Sequence, residues 1–508
     1  MFSSFKLYDF NFCDATPADD TDEDSQNPYV DSKKFMVQAW GINEHGKTVS
    51  IKIEDFSPFF YVQVPSSWGS ATKNKFILHL KTRMGTYYSD SIITKNCQLI
   101  KKKRLYGFNA GKQFKFIKIY FKNTRALSKC KNLWYNISPD PDKPGWNKYR
   151  LKENGYTEFA KSSIRIYEAV IPPILRLFHI REISPSGWIE IPDKKMIKID
   201  RTTYCDYEYN CSYKDLKPLN DKETPVPYKI MSFDIEADSS HGDFPLPVKT
   251  YKRLSTNIVD VVESWGSIEK EFLIDWLRLA VLTAFEYEWE DGIDIIYTKS
   301  QKPTREVVED KITEWLDKPV RDCEIDDDED LQAENTFEAV VDNEDVNDDD
   351  ESVGAIKKVR KSVRKDTVVE LLMRDRVKRD SKITEINQAL TSVFKDVAKV
   401  AGDKVTFIGS TFLNYGDKKP YLNHCIVLGG CSELPNVPNQ EIVPCKTEKE
   451  VIQEWVKLVQ EQDPHIVIGY NITGFDWEYM FRRAMETGCV DDFIKLSRNV
   501  GENSVKRD

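Results

Sequence analysis

Ten cysteines are present, yet no two of them form a C-x-x-C pair, so neither a thiolate zinc site nor a disulfide framework is indicated. Cysteine used this way suits a reducing, intracellular compartment. Long apolar runs are also missing. The longest candidate, FLIDWLRLAVLTAF at 272–285, is interrupted by Asp275 and Arg278 and is too short and too charged to span a membrane. The first twelve residues, MFSSFKLYDFNF, lack the basic start and apolar core of a signal peptide. No internal repeat is visible. A hydrophobic fraction of 40% and an aromatic fraction of 12% over 508 residues instead fit soluble globular material with roughly two to four domains.

Charge of one sign is missing from two stretches. Residues 322–351 hold 16 acids and no Lys or Arg, whereas 101–132 hold 11 Lys or Arg and no acid. A net charge of −10 argues at first sight against a nucleic-acid partner, but removing the 16 acids turns it into +6. Segregation of this kind says more about partners than the sum does. In the basic stretch, Lys101, Lys102, Lys103 and Arg104 precede a strand pattern with Tyr106, Phe108, Phe114 and Phe116 interleaved. This is either a well-solvated strand pair or a surface that tracks phosphates and stacks bases.

Along the chain, 13–31 reads as an acidic polar loop, and 34–64 alternates around the turn signal NEHGK as a hairpin or meander. Residues 133–153 read as a long loop, and 163–192 as a helix, a turn and a strand. The proline-rich 215–227 marks a domain boundary. Beyond it, apolar runs near 230–237, 293–298, 404–415, 423–430 and 465–470 read as strands, and 269–284 as a helix. Residues 320–366 read as a solvated insertion. The clearest helix is 447–460, where Thr447 and Glu450 form a capping box and Val451, Trp455 and Val459 share a face. Strands alternating with helices indicate an α/β layer fold for 226–508.

Two pieces of this layer carry acids at strand ends. In IMSFDIEADSSHGDFP (230–245), Asp234 and Glu236 are one residue apart and so share a strand face, roughly 6.5–7 Å apart along the chain. The plain explanation is solvent exposure or pairing with Lys229 or Lys249; the other is a divalent cation between them. In YNITGFDWEYMF (470–481), an apolar strand ends, turns through Gly474 and enters a helix near Asp476, which taken alone is a simple N-cap.

Together, FDIEADSSHGDFP and the later NITGFD resemble the first two motifs of the 3′–5′ proofreading exonuclease of family B DNA polymerases. The resemblance extends to VQAWGINEHGKTVSIKIEDFSPFFYVQVP, which is similar to delta-type replicative polymerases. YEAVIPPILRLFHIREISPSGWI and SSHGDFPLPVKTYKRLSTNIVD are closer still to polymerases of large DNA viruses of eukaryotes. It covers nearly the whole chain except about 300–400.

The resemblance implies an α/β architecture: a β-rich mixed N-terminal domain over 1–225, then an RNase H-like exonuclease domain over 226–508, with a charged insertion at about 300–400. It implies that Asp234, Glu236 and Asp476 are catalytic metal ligands for two divalent ions, Mg2+ or alternatively Mn2+, and that Asn471 and Phe475 help hold the primer's unpaired 3′ end; a structural role for Phe475, packing under the helix start, fits the sequence equally well. Two such ions, one generating hydroxide and one stabilising the leaving oxygen, explain why acids recur there.

The third exonuclease motif, Y-x-x-x-D, is expected after the second; the sole match, Tyr287–Asp291, precedes it. The polymerase signatures S-L-Y-P-S, K-x-x-x-N-S-x-Y-G and D-T-D are also missing. The expectation is therefore the N-terminal and proofreading part of a viral replicative polymerase, with an exonuclease domain incomplete at its C-terminus. It would act on DNA in an intracellular viral replication compartment, away from membranes, with a second polypeptide supplying the third motif and the polymerase domain. The rivals are a non-catalytic DNA- or partner-binding module with an incomplete site, and an independent exonuclease completed by another acid.

Overall fold

The computed structural model describes residues 2–16, 32–104, 110–140, 145–266, 268–320, 366–374 and 376–503. The acidic segment 322–351, nearly all of the basic run 357–366, most of the 13–31 loop, Tyr106 and Phe108 lie outside them. Contacts divide the chain into two units: residues up to Tyr228 together with Arg498–Glu502, and Lys229 to Ser497.

The first unit is β-rich. Strands β1 (Phe2–Ala15), β2 (Lys34–Ile42) and β3 (Thr48–Ile53) form an antiparallel meander. The β2–β3 turn is closed by the Asn43 side-chain oxygen, which accepts from the His45 and Lys47 N–H groups at 3.0 and 2.9 Å. Next come β4 (Phe59–Val64), α1 (Ser70–Met84), β5 (Gln98–Lys102), β6 (Phe114–Tyr120) and α2 (Thr124–Lys131). A hairpin of β7 (Tyr135–Pro139) and β8 (Asn147–Leu151) precedes β9 (Arg165–Tyr167). The sheet β5-β6-β4-β9 with α1 and α2 is a split β-α-β unit.

The β7–β8 hairpin replaces the loop expected over 133–153. Tyr135 and Ile137 stand opposite Leu151 and Tyr149, and such cross-strand pairs stabilise a ladder within a stretch whose Pro, Gly and Asp content reads as loop. Helix α3 (Pro173–Arg181) starts with proline in its first turn, where a missing N–H costs nothing. Strands β10 (Trp188–Pro192), β11 (Ile197–Lys198), β12 (Tyr207–Asn210) and β13 (Lys217–Pro218) complete a seven-stranded sheet ordered β11-β12-β3-β2-β1-β10-β13.

In the second unit, β14 (Lys229–Asp238) is followed by a helical block: α4 (Lys252–Trp265), α5 (Lys270–Ala284), α6 (Arg305–Asp317), α7 (Val368–Leu372) and α8 (Arg379–Phe394). The block has its own core, in which Ile258, Leu277, Val308, Trp315, Ile386 and Leu390 are buried. Leu254, Ile258 and Val262 recur every four residues on α4 and face that core. The strand expected near 293–298 does not form; Ile293 and Ile296 pack on the helices, and Thr298 makes a single bridge to Val400.

After the block come β15 (Lys404–Asn414), β16 (Leu422–Leu428), β17 (Gln440–Cys445), α9 (Glu448–Gln462), β18 (Ile466–Ile468), α10 (Asp476–Thr487) and α11 (Val490–Phe493). The sheet order is β17-β16-β15-β14-β18, with β14, β15 and β16 antiparallel in turn and β18 parallel to β14, an RNase H-like arrangement. Helix α9 carries the capping box of Thr447 and Glu450, and buries Val451 and Trp455 on this sheet.

Candidate active site

Strand β14 obeys the period of two. Met231, Phe233 and Ile235 are buried in the sheet core, while Asp234 and Glu236 are exposed on the opposite face. Neither suggested lysine neutralises them: Lys229 Nζ donates to the Gln462 carbonyl at 2.9 Å, and Lys249 Nζ pairs with Asp403 at 2.6 Å. Across the ladder, Asp234 stands opposite Gly409, and a Cβ there would meet nothing within 4 Å. The floor beside the acid is open. After Glu236 the β14–β15 register slips, the kind of bulge that re-aims side chains at a strand end.

On the other side, β18 ends against β14, and two glycines bring the chain over it. A Cβ on Gly469 would lie 2.2 Å from Ile472 Cγ2 and 2.8 Å from the Phe233 carbonyl oxygen, so only glycine fits. Asn471 takes a left-handed conformation (φ +53°), and its carbonyl accepts from the Gly474 and Phe475 N–H groups at 3.0 and 3.1 Å. A Cβ on Gly474 would stand 2.6 Å from Asn471 Oδ1. The Asn471 amide is thus held beside the turn.

Phe475 occupies the N-cap position of α10, and Asp476 is its first helical residue, not the simple N-cap that the motif alone suggests. Asp476 is 2% exposed, and its Oδ1 has no hydrogen-bond partner among the described residues. Its carboxyl lies against the Asp234 carboxyl, whose Oδ1 accepts from the Ile235 N–H at 3.2 Å. Burial, and secondarily the negative charge of Asp234, pushes the Asp476 carboxyl above the ordinary range, against backbone N–H groups that favour its charged form.

The structure therefore brings Asp234 and Asp476 together and places Glu236 on the same strand face as Asp234. Among the described residues no three His, Cys, Asp or Glu side chains converge closely enough to hold an ion, so Glu236 does not close a triad with them here. Two facing carboxylates, one with a buried unsatisfied oxygen, nevertheless have the donor chemistry of a hard divalent cation. Tyr287, the tyrosine of the misplaced Y-x-x-x-D, packs on the helical block and donates to the Pro303 carbonyl.

Two neighbours escaped sequence reasoning. Phe244, 72% exposed, lies edge-on to Phe475 with ring centroids 5.6 Å apart. Asp403, 3% exposed, gathers the segment leaving β14 by accepting from Lys249 Nζ and from the Ser240 and Leu246 N–H groups. Phe244 lies in a small, polar stretch ending at Pro245, where proline is a local sign of a break; nothing local marked Asp403.

In the first unit, Lys101 and Lys102 lie on β5, at the edge of the four-stranded sheet, with Lys103 exposed beyond them. Arg104 stacks 4.1 Å over the Phe114 ring, and Lys102 lies 5.3 Å from the Tyr61 ring. Phe116 is 4% exposed and cannot stack a base. The sheet is covered on both faces, Phe116 entering one core cluster and Ile117 and Ile119 another.

Residues 164–289 and 385–507 match the family described as DNA polymerase family B, exonuclease domain. The chain is 40% identical, over 99% of its length, to a DNA polymerase of Phaeocystis pouchetii virus. It belongs to the family B DNA polymerases. A DNA polymerase of Pyramimonas orientalis virus is 28% identical over 96% of the chain, and the DNA polymerase delta catalytic subunit of Schizosaccharomyces pombe is 24% identical over 54%. The chain spans 49% of the first relative, 36% of the second and 24% of the third. The family match skips 290–384, which includes α6, α7 and the start of α8. Exonuclease domains of this family depend on divalent metal. No helix among the described residues is long and apolar enough to cross a membrane.

Proposed function

We propose that this chain carries the proofreading site of a viral replicative DNA polymerase, a 3′–5′ exonuclease that removes mispaired primer ends. The observation that carries the reading is the Asp476 carboxyl, buried with an unsatisfied oxygen and set against Asp234. A structural aspartate in such a place finds hydrogen-bond donors; an oxygen left bare beside a second carboxylate calls for a cation.

Asp234, Glu236 and Asp476 would hold divalent ions, Mg2+ with Mn2+ as substitute. When bound, the ions supply hydroxide at neutral pH and stabilise the leaving oxygen. The protein's own part is to fix the carboxylates and to exclude water from around Asp476. Asn471 and Phe475, at the turn before α10, would hold the primer's 3′ end, and Lys101, Lys102, Lys103 and Arg104 would track phosphates. The further acid, the water-orienting tyrosine and the polymerase centre belong, in this reading, to the part of such a polymerase that this sequence does not match, since it spans 49% and 36% of its two viral relatives.

The test is Mg2+-dependent hydrolysis of 3′-ended single-stranded DNA by the chain, alone and with the unmatched part of a relative's polymerase added in trans. Asp234→Ala is expected to abolish it. DNA binding with no cleavage under either condition would identify the chain as a non-catalytic binding module.

A further inference from the structure

Helix α10 does more than present Asp476. Asp476, Tyr479 and Arg483 fall at i, i+3 and i+7, one stripe of the helix, and are 2%, 1% and 3% exposed. Polar groups hold the last two in place. The Tyr479 hydroxyl donates to the Asp403 carbonyl at 3.0 Å. The Arg483 guanidinium grips Glu448, the first residue of α9, with two bonds of 2.8 and 2.6 Å. The same guanidinium donates to the Pro247 carbonyl and pairs with Glu486, both at 2.8 Å. Gly402 leaves it room, since a Cβ there would stand 2.3 Å from Arg483 Nη1.

Asp403 belongs to both halves of the site. Its carboxylate holds the segment leaving β14, the strand of Asp234, and its carbonyl holds Tyr479 on the helix of Asp476. The Pro247 carbonyl, in that same segment, is held by Arg483. The strand with one acid and the helix with the other are therefore tied together twice, away from the acids themselves.

We propose that Arg483, gripping Glu448 and Pro247, is a positioning residue that fixes the roll of α10 and so the separation of the Asp476 and Asp234 carboxylates. Side chains reach about 5–6 Å from a helix axis, so a roll of about 20° would carry the Asp476 carboxylate roughly 2 Å. That exceeds the roughly 0.5 Å within which such constellations must be held. A bidentate guanidinium–carboxylate pair restrains roll in a way that a point charge does not. The inference rests on Asp234 and Asp476 being cation ligands.

The test uses the full chain and Mn2+ alone, titrated by electron paramagnetic resonance. Arg483→Gln combined with Glu448→Gln removes both charges, while the amide oxygen that replaces the Glu448 carboxylate can still accept from the Val405 N–H, as Glu448 does. This variant is expected to fold, by circular dichroism, and to bind Mn2+ about tenfold more weakly, the effect typical of removing orienting groups. Arg483→Lys, which keeps the charge and loses the fork, is expected to lie in between. Tyr479→Phe deletes one hydroxyl and is expected to weaken Mn2+ in the same direction; it decides the matter where the double variant does not fold. Wild-type Mn2+ affinity in the folded variants overturns the proposal and leaves the exonuclease reading standing. Equal Mn2+ binding by wild type and Asp234→Ala defeats the exonuclease reading, and the positioning role with it.

Discussion

The carboxyl of Asp476, at the first residue of α10, meets the carboxyl of Asp234 on β14, and one Asp476 oxygen is buried without a hydrogen-bond partner among the described residues. Two like charges so placed are relieved by a proton or by a cation. The two remedies have opposite dependences on pH, and this makes the pair testable without any DNA.

Without divalent ions, Asp476→Asn is expected to stabilise the protein at neutral pH. The Asp476 carboxyl titrates above its ordinary range because it is buried and faces Asp234. A raised carboxyl favours the folded state only when protonated. Its contribution is full below the unfolded value of about 4 and is lost as pH rises through the raised folded value. The variant should therefore melt about 2 °C above wild type at pH 7.5, and the gap should close towards pH 4. Mg2+ should raise the wild-type melting temperature and leave the variant unmoved. Thermal melts at several pH values, with and without Mg2+, check all three statements. A variant destabilised at neutral pH in chelator would contradict them.

Gly469→Ala is expected to destabilise the second unit by about 1–3 kcal/mol, the usual cost of overpacking. The new methyl would meet Ile472 Cγ2 and the Phe233 carbonyl, and the latter belongs to the residue before Asp234. Relief requires β18 and the turn into α10 to move away from β14. The same change should therefore weaken Mn2+ binding, whereas Gly430→Ala, where a Cβ meets nothing within 4 Å, should alter neither. Urea unfolding with parallel Mn2+ titration makes the comparison.

Replacing Lys101, Lys102, Lys103 and Arg104 by alanine is expected to weaken binding of single-stranded DNA and to flatten its salt dependence. Every phosphate left without its cation should lower the slope of log K against log salt by about 0.7. Stability should fall little from the lysines, which are exposed, and somewhat more from Arg104, which covers Phe114. Fluorescence anisotropy at several salt concentrations measures the slope, and an unchanged slope removes this edge from the DNA path.

What was legible in the sequence is what local period and local caps encode. The strand period put Asp234 and Glu236 on one face, and the capping box placed the start of α9 at Thr447, as the structure has them. The family was legible because each of its two motifs is an unbroken run of residues. Asp403 and Arg483 were not, because their partners are remote: Lys249 is 154 residues from Asp403, and Glu448 is 35 from Arg483. A lone aspartate before a strand reads as loop until the chain that folds back on it is seen. Phe116 misled for a related reason. Alternating aromatics and lysines look like a sheet with one wet face, and only tertiary packing shows that both faces of β6 are covered.

The helical block between β14 and β15 is expected to be removable. The Asp403 N–H donates to the Leu246 carbonyl and the Leu246 N–H to the Asp403 carboxylate, at 2.9 and 2.8 Å. The chain thus leaves and re-enters the sheet at neighbouring points. Closing so short a gap costs little loop entropy, and the block buries its apolar side chains in its own core. Replacing 252–400 by a linker of a few Gly and Ser residues should preserve the β14–β15 pairing and the Lys249–Asp403 pair. The ties that would go include Arg253 to Asp243, His241 to the Ile295 carbonyl, Lys299 to the Glu486 carbonyl, the Ala401 N–H to the Tyr297 carbonyl and the Tyr251 hydroxyl to the Ala398 carbonyl. We expect amides of β14 and β15 to keep their protection in hydrogen exchange, and the melting temperature of the sheet to fall by no more than about 4 °C. Loss of protection along β14 would show instead that the block is part of what holds Asp234 in place.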